Sequence, residues 1–194
     1  SRLIEQAPKN TVIREFFKNA EENAALSPNG TGEVRIYPVE IDGVRKLAFW
    51  NTGIGMDDAE LKTATEISAS INKQMGLDGN FGIGAKVSGL AVSPYGIRYR
   101  SCKDGVVNEV TIGFDEDINQ YARLSVQFED GSTDTVINVT SLLREEAKDL
   151  NIDWTEVVLL GASETHDTVA QPLKEGETLD RSFIPSEIFR RFTR

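Results

Sequence analysis

The chain has 194 residues, 39% of them hydrophobic and 27% charged, which is typical of a globular protein with a sizeable core. Its formal net charge of -10 at pH 7 repels nucleic acid and anionic lipid, so any DNA contact needs a local patch or another region. No apolar run approaches membrane-spanning length, and a signal-peptide pattern is lacking. The single cysteine, Cys102, excludes an intrachain disulfide. We therefore expect a cytoplasmic or otherwise intracellular protein without membrane contact.

The first strong pattern in the chain is an amphipathic helix over residues 10–24, in which apolar residues recur at helical spacing. Glu15 and Asn19 stand one turn apart on a neighbouring face of this helix. Either Glu22 or Asn23 continues the row. The row is compatible with a solvated surface and with a polar site, and the helix alone does not decide between them.

A β-hairpin follows, with strands over residues 33–41 and 45–50 and an Asp-Gly pair at the turn. The second strand runs into Asn-Thr-Gly-Ile-Gly-Met at residues 51–56, and two aspartates then cap a helix predicted over residues 58–71. Alternate glycines at a strand end let a flat ligand approach the backbone. An ordinary strand-to-helix loop has the same composition, so this motif is also ambiguous in isolation.

The most informative stretch is a glycine-rich loop over residues 79–89, in which Gly79, Gly82 and Gly84 precede Lys86. Glycines allow the backbone to come close to a ligand, and the N–H groups that open the next helix, predicted over residues 86–92, form an anion site. Residues 68–81 contain few apolar anchors, which predicts a mobile lid in front of the loop.

The rest of the chain predicts an antiparallel meander, a short helix and one more strand. Turn-forming residues separate strands at 96–102, 106–114, 122–128 and 133–139, followed by a helix over 141–151 and a buried strand over 154–160. A basic, apolar helix is predicted near the end of the chain, from Pro185 onward, and either docks on another element or forms a small nucleic-acid patch. We expect one domain over residues 1–162 and an extension over 163–194 that leads to a downstream region.

These three motifs, in this order, resemble those of the GHKL ATPases, the superfamily of gyrase B subunits, ninety-kilodalton heat-shock chaperones, histidine kinases and MutL. The helix sequence Glu15-Phe-Phe-Lys-Asn19-Ala-Glu-Glu22 looks like the first family motif, Asn51-Thr-Gly53-Ile-Gly55-Met56 like the second, and Gly82-Ile-Gly84-Ala-Lys86 like the third. The resemblance covers roughly residues 10–160, and within the superfamily it is nearest to MutL, MORC proteins and topoisomerase VI B subunits.

The resemblance implies an α+β class: the two-layer α/β sandwich called the Bergerat fold. Its mixed, mostly antiparallel sheet carries helices on one face, and ATP lies between the two layers under a lid. The order of strands and helices predicted from the residues agrees with this architecture.

The resemblance also implies a set of site residues. Asn19 would coordinate Mg²⁺ on the phosphates of ATP, Glu15 would activate the attacking water, and Lys86 would assist catalysis and hold phosphate. Thr155 resembles, weakly, a threonine that closes the adenine pocket. The nucleotide-binding set implied as a whole is Asn19, Glu22, Asn51, Gly53, Gly55, Met56, Gly82, Ile83, Gly84, Ala85, Lys86 and Thr155.

The chain departs from the family pattern at two positions. Asn51 stands where the family usually has an aspartate that accepts a hydrogen bond from the adenine amino group. An asparagine still accepts, but without the charge-assisted component of about 1 kcal/mol, and its NH₂ group tolerates a different base edge. Glu22 stands where aspartate is favoured, and a water or a rotamer absorbs its extra methylene.

This resemblance is compatible with two functions. The first is an ATPase that dimerises on ATP binding and serves as a clamp or switch in a larger protein, with DNA contacts made through other regions. The second is a nucleotide-sensing module that acts through protein contacts without useful turnover. A histidine kinase is disfavoured because His166, which we expect on the surface or in a loop, is the single histidine and does not lie on a helix pattern.

Overall fold

The computed structural model describes Ile4 and residues 11–28, 30–67 and 83–173. The lid predicted over 68–81, Gly79, Gly82, the side chain of Ile83 and the helix predicted after Pro185 lie outside the described residues. Among the described helices, none is long and apolar enough to span a bilayer.

The described elements comprise four helices and nine strands. The helices are α1 (Val12–Ala24), α2 (Asp58–Ala64), α3 (Ile83–Val92) and α4 (Thr140–Glu145). The strands are β1 (Val34–Ile41), β2 (Val44–Thr52), β3 (Gly96–Lys103), β4 (Val106–Asp115), β5 (Gln120–Arg123), β6 (Val126–Gln127), β7 (Thr133–Asp134), β8 (Val136–Asn138) and β9 (Trp154–Gly161).

The main sheet has the strand order β1-β2-β9-β3-β4-β5, and β8 pairs with β4 outside this path. Each pairing among the described strands is antiparallel, and β6 and β7 form a separate two-stranded ribbon. The last strand, β9, therefore inserts between the first hairpin and the meander. The predicted α+β class with a mostly antiparallel sheet is confirmed.

The main core lies between α1, α3 and one face of the sheet. Phe16 of α1 stacks on Phe49 of β2 with ring centroids 5.4 Å apart. Gly89 lets α3 approach closely, because a Cβ at this position would come within 2.8 Å of the Phe16 ring. Each phenylalanine buried in such a core stabilises the fold by about 1.5–3 kcal/mol through the hydrophobic effect.

The three longer helices share this face, whereas α4 lies on the other one. Leu143 of α4 packs with Cys102, Val107 and Trp154, whose side chains point away from the main core by strand alternation. Cys102 is a buried free thiol in β3, and burial raises its pKa to about 11. The prediction that the helices lie on one face of the sheet therefore holds for α1, α2 and α3 but not for the short helix α4.

Two predicted helices are shorter in the structure than the sequence pattern indicates. The helix predicted over 58–71 ends at Ala64, and the carbonyls of Leu61 and Lys62 in its last turn accept from the Thr65 hydroxyl and the Arg123 guanidinium. The prediction is thus wrong for residues 65–67.

The helix predicted over 141–151 ends at Glu145 instead. Ala147 has φ 55°, and the Lys148 N–H donates to Leu143 O at 3.0 Å, which is a Schellman ending without a glycine. In the meander, the strand predicted over 122–128 is divided between β5 and β6.

The segment over residues 162–171, here called the strap, follows β9 and is held in place by a buried lysine. Lys46 of β2 is 2% exposed, and its ammonium donates to the carbonyls of Leu160, Ser163, Glu164 and His166 at 2.7–3.2 Å. His166 lies in a loop as expected but is buried, so the surface expectation is wrong. Its Nδ1 accepts from the Ala162 N–H, and its Nε2 lies 2.7 Å from Gln171 O.

Candidate functional site

A cavity of about 390 Å³ lies between the helix layer and the sheet. Its floor is formed by β2, β3 and β9, its walls by α1, α2 and α3, and its rim by the loop between β2 and α2. The lining is mainly apolar with a few polar groups, which is the usual character of a small-ligand site. The lining residues are Phe16, Asn19, Ala20, Asn23, Leu26, Phe49, Asn51, Gly53, Ile54, Gly55, Met56, Glu60, Ala64, Lys86, Tyr99, Thr155 and Val157.

A row of polar side chains crosses the floor on neighbouring strands. Asn51 of β2 pairs in register with Thr155 of β9, which pairs with Ser101 of β3. The hydroxyls of Ser101 and Thr155 are 2.9 Å apart. The Asn51 Nδ2 donates to the carbonyl of Thr52 at 2.8 Å, so the amide presents its oxygen on the other side.

The loop over residues 53–56 is fastened to the end of β3. Gly55 has φ 60°, and a Cβ there would lie 2.1 Å from the carbonyl oxygen of Cys102, so this position requires glycine. The Met56 N–H donates to the Ser101 hydroxyl at 2.9 Å. Of the two alternate glycines, Gly55 thus allows close backbone contact with β3, whereas Gly53 lies against the carbonyl of Asn23 at the end of α1.

The start of α2 is held at the same strand end. Asp57 and Glu60 form a reciprocal capping box, and the Lys103 ammonium lies 2.6 Å from a Glu60 oxygen. Because Glu60 also lines the cavity, its ion pair with Lys103 fixes a negative charge on the α2 wall.

The α1 wall presents two carboxamides to the cavity. Asn19 and Asn23 line it and are one helical turn apart. Glu22 does not line it: its carboxylate lies 3.6 Å from the Lys18 ammonium and is 40% exposed. The structure therefore resolves the choice of Glu22 or Asn23 on this wall in favour of Asn23.

Lys86 is the cation that lines the cavity from α3. It is 8% exposed, and its burial lowers the pKa to about 8, while the charge of Glu66 acts in the opposite direction. A buried ammonium beside a cavity gains from an anionic ligand, because the ligand replaces the lost interaction with water.

Glu15 lies next to the beginning of α3 and does not line the cavity. A Cβ at Gly84 would be 3.0 Å from a Glu15 carboxylate oxygen, so the carboxylate adjoins the first turn of α3. A carboxylate oxygen is also 3.1 Å from the Arg14 guanidinium. Glu15 thus stands beside the helix terminus, where an anion is stabilised.

Seven of the sequence-predicted residues are brought together around the cavity: Asn19, Asn51, Gly53, Gly55, Met56, Lys86 and Thr155. Glu15, Glu22, Gly84 and Ala85 lie outside the lining, and Gly82 is outside the described residues. Sequence reasoning missed Tyr99 and Glu60, which line the cavity from β3 and α2. Strand alternation places Tyr99 on the cavity face, but only the strand order shows that β3 lies beneath the cavity.

No family model matches the chain, and no curated protein matches it. Among solved structures, the chain is similar to the ATPase and transducer domains of DNA topoisomerase II from Balamuthia mandrillaris, with a TM-score of 0.50 and 14% sequence identity. The match covers 94% of this chain and 43% of that chain, so this chain spans less than half of its neighbour. At this identity the likeness shows the fold, and it supports the GHKL resemblance at that level.

Proposed function

We propose that this domain binds ATP in the cavity beneath α1 and hydrolyses it with Mg²⁺. The observation that carries the proposal is the convergence of three distant stretches of sequence on one cavity: Asn19 from α1, the loop after β2, and Lys86 from α3. None of these signals is specific alone. The fold shared with a topoisomerase II ATPase domain adds support by analogy.

The polarity of the lining gives the nucleotide a direction. The base would lie over Asn51 and Thr155, whose polar atoms suit the edge of a purine. The phosphates would lie at Lys86 and the first turn of α3, where an ammonium and backbone N–H groups favour negative charge. Phe49 and Val157 pair with each other two residues along the same strands and add apolar surface to the floor beside these polar groups.

The residues present fit a magnesium ion held mainly by the nucleotide. Asn19 offers a carboxamide oxygen, the hard type of ligand that Mg²⁺ accepts, and it lines the cavity. Within the described ranges, no group of three acidic, cysteine or histidine side chains could hold a metal ion by itself. When bound, Mg²⁺ would neutralise charge on the phosphates, and Asn19 would position it.

Glu15 is the general base in this proposal. Its carboxylate adjoins Gly84 in the first turn of α3, next to the end of the site assigned to the phosphates. From there it can orient a water and accept its proton. Release from Arg14, which now holds the carboxylate at 3.1 Å, would accompany nucleotide binding.

A second candidate function is a sensor that binds ATP without useful turnover. The position of Glu15 favours it, because this carboxylate pairs with Arg14 and does not line the cavity. In either case, we propose that ATP binding promotes self-association and that the domain serves as a clamp or switch in a larger protein. Any DNA contact would come from other regions, because this chain has a net charge of -10.

The two candidates are separated by Glu15→Gln, which keeps the size of the side chain but cannot accept a proton. We expect turnover to fall by about 10²-fold or more while ATP affinity changes little. Asn19→Ala should weaken both, because the same amide positions the ion and the phosphates. The measurements are steady-state ATP hydrolysis and calorimetric titration, at a protein concentration that permits association.

Glu21→Gln on the same helix is the control and should hydrolyse ATP at the parental rate. If Glu15→Gln also does so, Glu15 is not the general base. If the parental protein binds ATP but shows no turnover, the sensor is the better description.

A further inference from the structure

Ser101 lies directly beneath the base end of the cavity and does not line it. Its side chain is completely buried in β3. The Met56 N–H donates to the Ser101 Oγ at 2.9 Å, and the same oxygen lies 3.1 Å from Trp154 O and 2.9 Å from the Thr155 hydroxyl. One hydroxyl thus joins the rim of the cavity, through Met56, to its floor, through Thr155.

The single proton of Ser101 determines what Thr155 offers to a ligand. If Ser101 donates to Trp154 O, its remaining lone pair accepts the Thr155 proton, and Thr155 presents only an acceptor to the cavity. If Ser101 donates to Thr155, the Thr155 proton is free to point into the cavity. The two hydroxyls therefore form a relay with two directions.

Asn51 has no such freedom, because its neighbour fixes the amide. Its Nδ2 donates to Thr52 O, and the flipped amide would place two carbonyl oxygens against each other. The Asn51 oxygen is therefore the atom left to accept from a ligand. The floor therefore offers a fixed acceptor at Asn51. The neighbouring Thr155 hydroxyl can donate to a ligand when the Ser101 hydroxyl donates to Thr155.

Building on the proposed function, we propose that Ser101 is a positioning residue for base recognition, which acts through Thr155 and Met56. The base that matches this floor carries an amino group beside an unprotonated ring nitrogen, as a 6-aminopurine does. A base with an oxo group in place of the amino group opposes the Asn51 oxygen and is disfavoured.

The test uses the whole chain and compares its affinity for ligands with and without a base. Ser101→Ala should weaken binding of Mg²⁺-ATP by about tenfold, because the Thr155 hydroxyl and the Met56 N–H lose the oxygen that positions them, while binding of Mg²⁺-tripolyphosphate changes less than about twofold. Parental protein should bind ATP at least about tenfold more tightly than inosine triphosphate, which has an oxo group in place of the amino group. Titration calorimetry measures all three ligands.

The matched control is Ser93→Ala. Ser93 is also completely buried and its hydroxyl makes two hydrogen bonds, to Gly96 O and from the Gly161 N–H, but it does not line or adjoin the cavity lining. It should destabilise the fold without changing the ratio of ATP to tripolyphosphate affinity. Ser101→Ala and Thr155→Val should combine to less than the product of their separate effects, because Ser101 acts partly through Thr155.

The outcomes separate this inference from the function on which it rests. If parental protein does not bind ATP, the proposed function fails, and the inference with it. If ATP binds but Ser101→Ala lowers the affinity of both ligands equally, or of neither, Ser101 has no role in base recognition. Ser101→Cys, which retains a weaker donor, should show an intermediate loss in ATP affinity and replaces the alanine variant if that variant does not fold.

Discussion

Lys86 is the residue whose chemistry depends most on its surroundings. The residue is 8% exposed, and desolvation lowers the pKa of its ammonium to about 8, within the pH range in which many proteins are assayed. The side chain therefore changes charge under ordinary laboratory conditions. This is unusual for a lysine, whose pKa is about 10.4 in water, and it makes the end of the cavity proposed for the phosphates sensitive to pH.

Nucleotide affinity should therefore fall above about pH 8. An anionic phosphate favours the charged form, so it raises the pKa of Lys86 in the complex. Below the lower pKa both states are protonated and this residue contributes no pH dependence. Between the two pKa values the free protein must take up a proton, and affinity falls by up to about tenfold per pH unit. Calorimetry between about pH 7.5 and 9.5 measures this slope.

Lys86→Arg provides the control for that slope, because a guanidinium stays protonated over the whole range. Its nucleotide affinity should be independent of pH above about 7.5, even if the fit of the longer side chain lowers it. An equal decline in the parental and arginine proteins would assign the pH dependence to another group.

Single residues differ greatly in how well the sequence predicts them. Asn51, Thr155 and Lys86 are predictable because each belongs to a local motif that resembles a known one. Ser101 and the burial of Lys46 are not predictable. Ser101 contacts Met56 and Thr155, and Lys46 contacts the strap, across 45 or more residues of sequence. Contacts of this kind leave no periodic pattern in the chain.

The loop over residues 53–56 forms the rim of the cavity and is held there by close contact with β3. Gly55→Ala places a methyl group 2.1 Å from the Cys102 carbonyl oxygen at a positive φ, so the loop must move away from β3. We expect a loss of about 1–3 kcal/mol in unfolding free energy and at least tenfold weaker nucleotide binding. Urea unfolding and calorimetry measure the two effects.

Gly43→Ala separates backbone strain from displacement of the loop. Gly43 also has a positive φ, 78°, but a Cβ there meets no atom within 4 Å. Gly43→Ala should lower the unfolding free energy by about 1 kcal/mol and leave nucleotide affinity unchanged. If the Gly55→Ala and Gly43→Ala variants bind nucleotide with equal affinity, the rim formed by the loop does not contribute to the site.

Helix ends are the elements that sequence reasoning describes worst. The stop after Glu145 depends on Ala147 in a left-handed conformation, which sequence patterns assign to glycine or asparagine. In the last turn before Ala64, the Lys62 carbonyl accepts from Arg123, a residue of β5, so the partner of this helix end is distant in sequence. Strand positions are described better because alternation of buried and exposed residues is a local property of a sheet with one covered face.

The strap should depend on Lys46 far more than on its neighbour Arg45. Lys46→Met leaves the strap carbonyl groups of Glu164 and His166 without their donor, and we expect a loss of about 3 kcal/mol in unfolding free energy. Arg45→Met removes only an exposed ion pair with Asp167, worth at most about 1 kcal/mol. Urea denaturation gives both values, and equal losses would mean that the carbonyl groups find water instead.

At the scale of the whole molecule, the motif order and the antiparallel sheet are both predictable, whereas no local pattern in the residues indicates that β9 inserts between β2 and β3. That insertion is what brings Thr155 between Asn51 and Ser101. The site therefore depends on the longest-range pairing of the sheet, which no local pattern predicts.

The net charge of the chain opposes its self-association. Two copies of a chain with a formal charge of -10 repel each other, and salt screens that repulsion. A non-hydrolysable ATP analogue with Mg²⁺ should shift the protein from monomer to dimer in sedimentation experiments, more completely at about 200 mM than at about 20 mM salt. Weaker association at higher salt would instead indicate an interface of complementary charges. A chain that stays monomeric at saturating nucleotide in both conditions would remove the clamp from the proposal and leave a monomeric nucleotide-binding module.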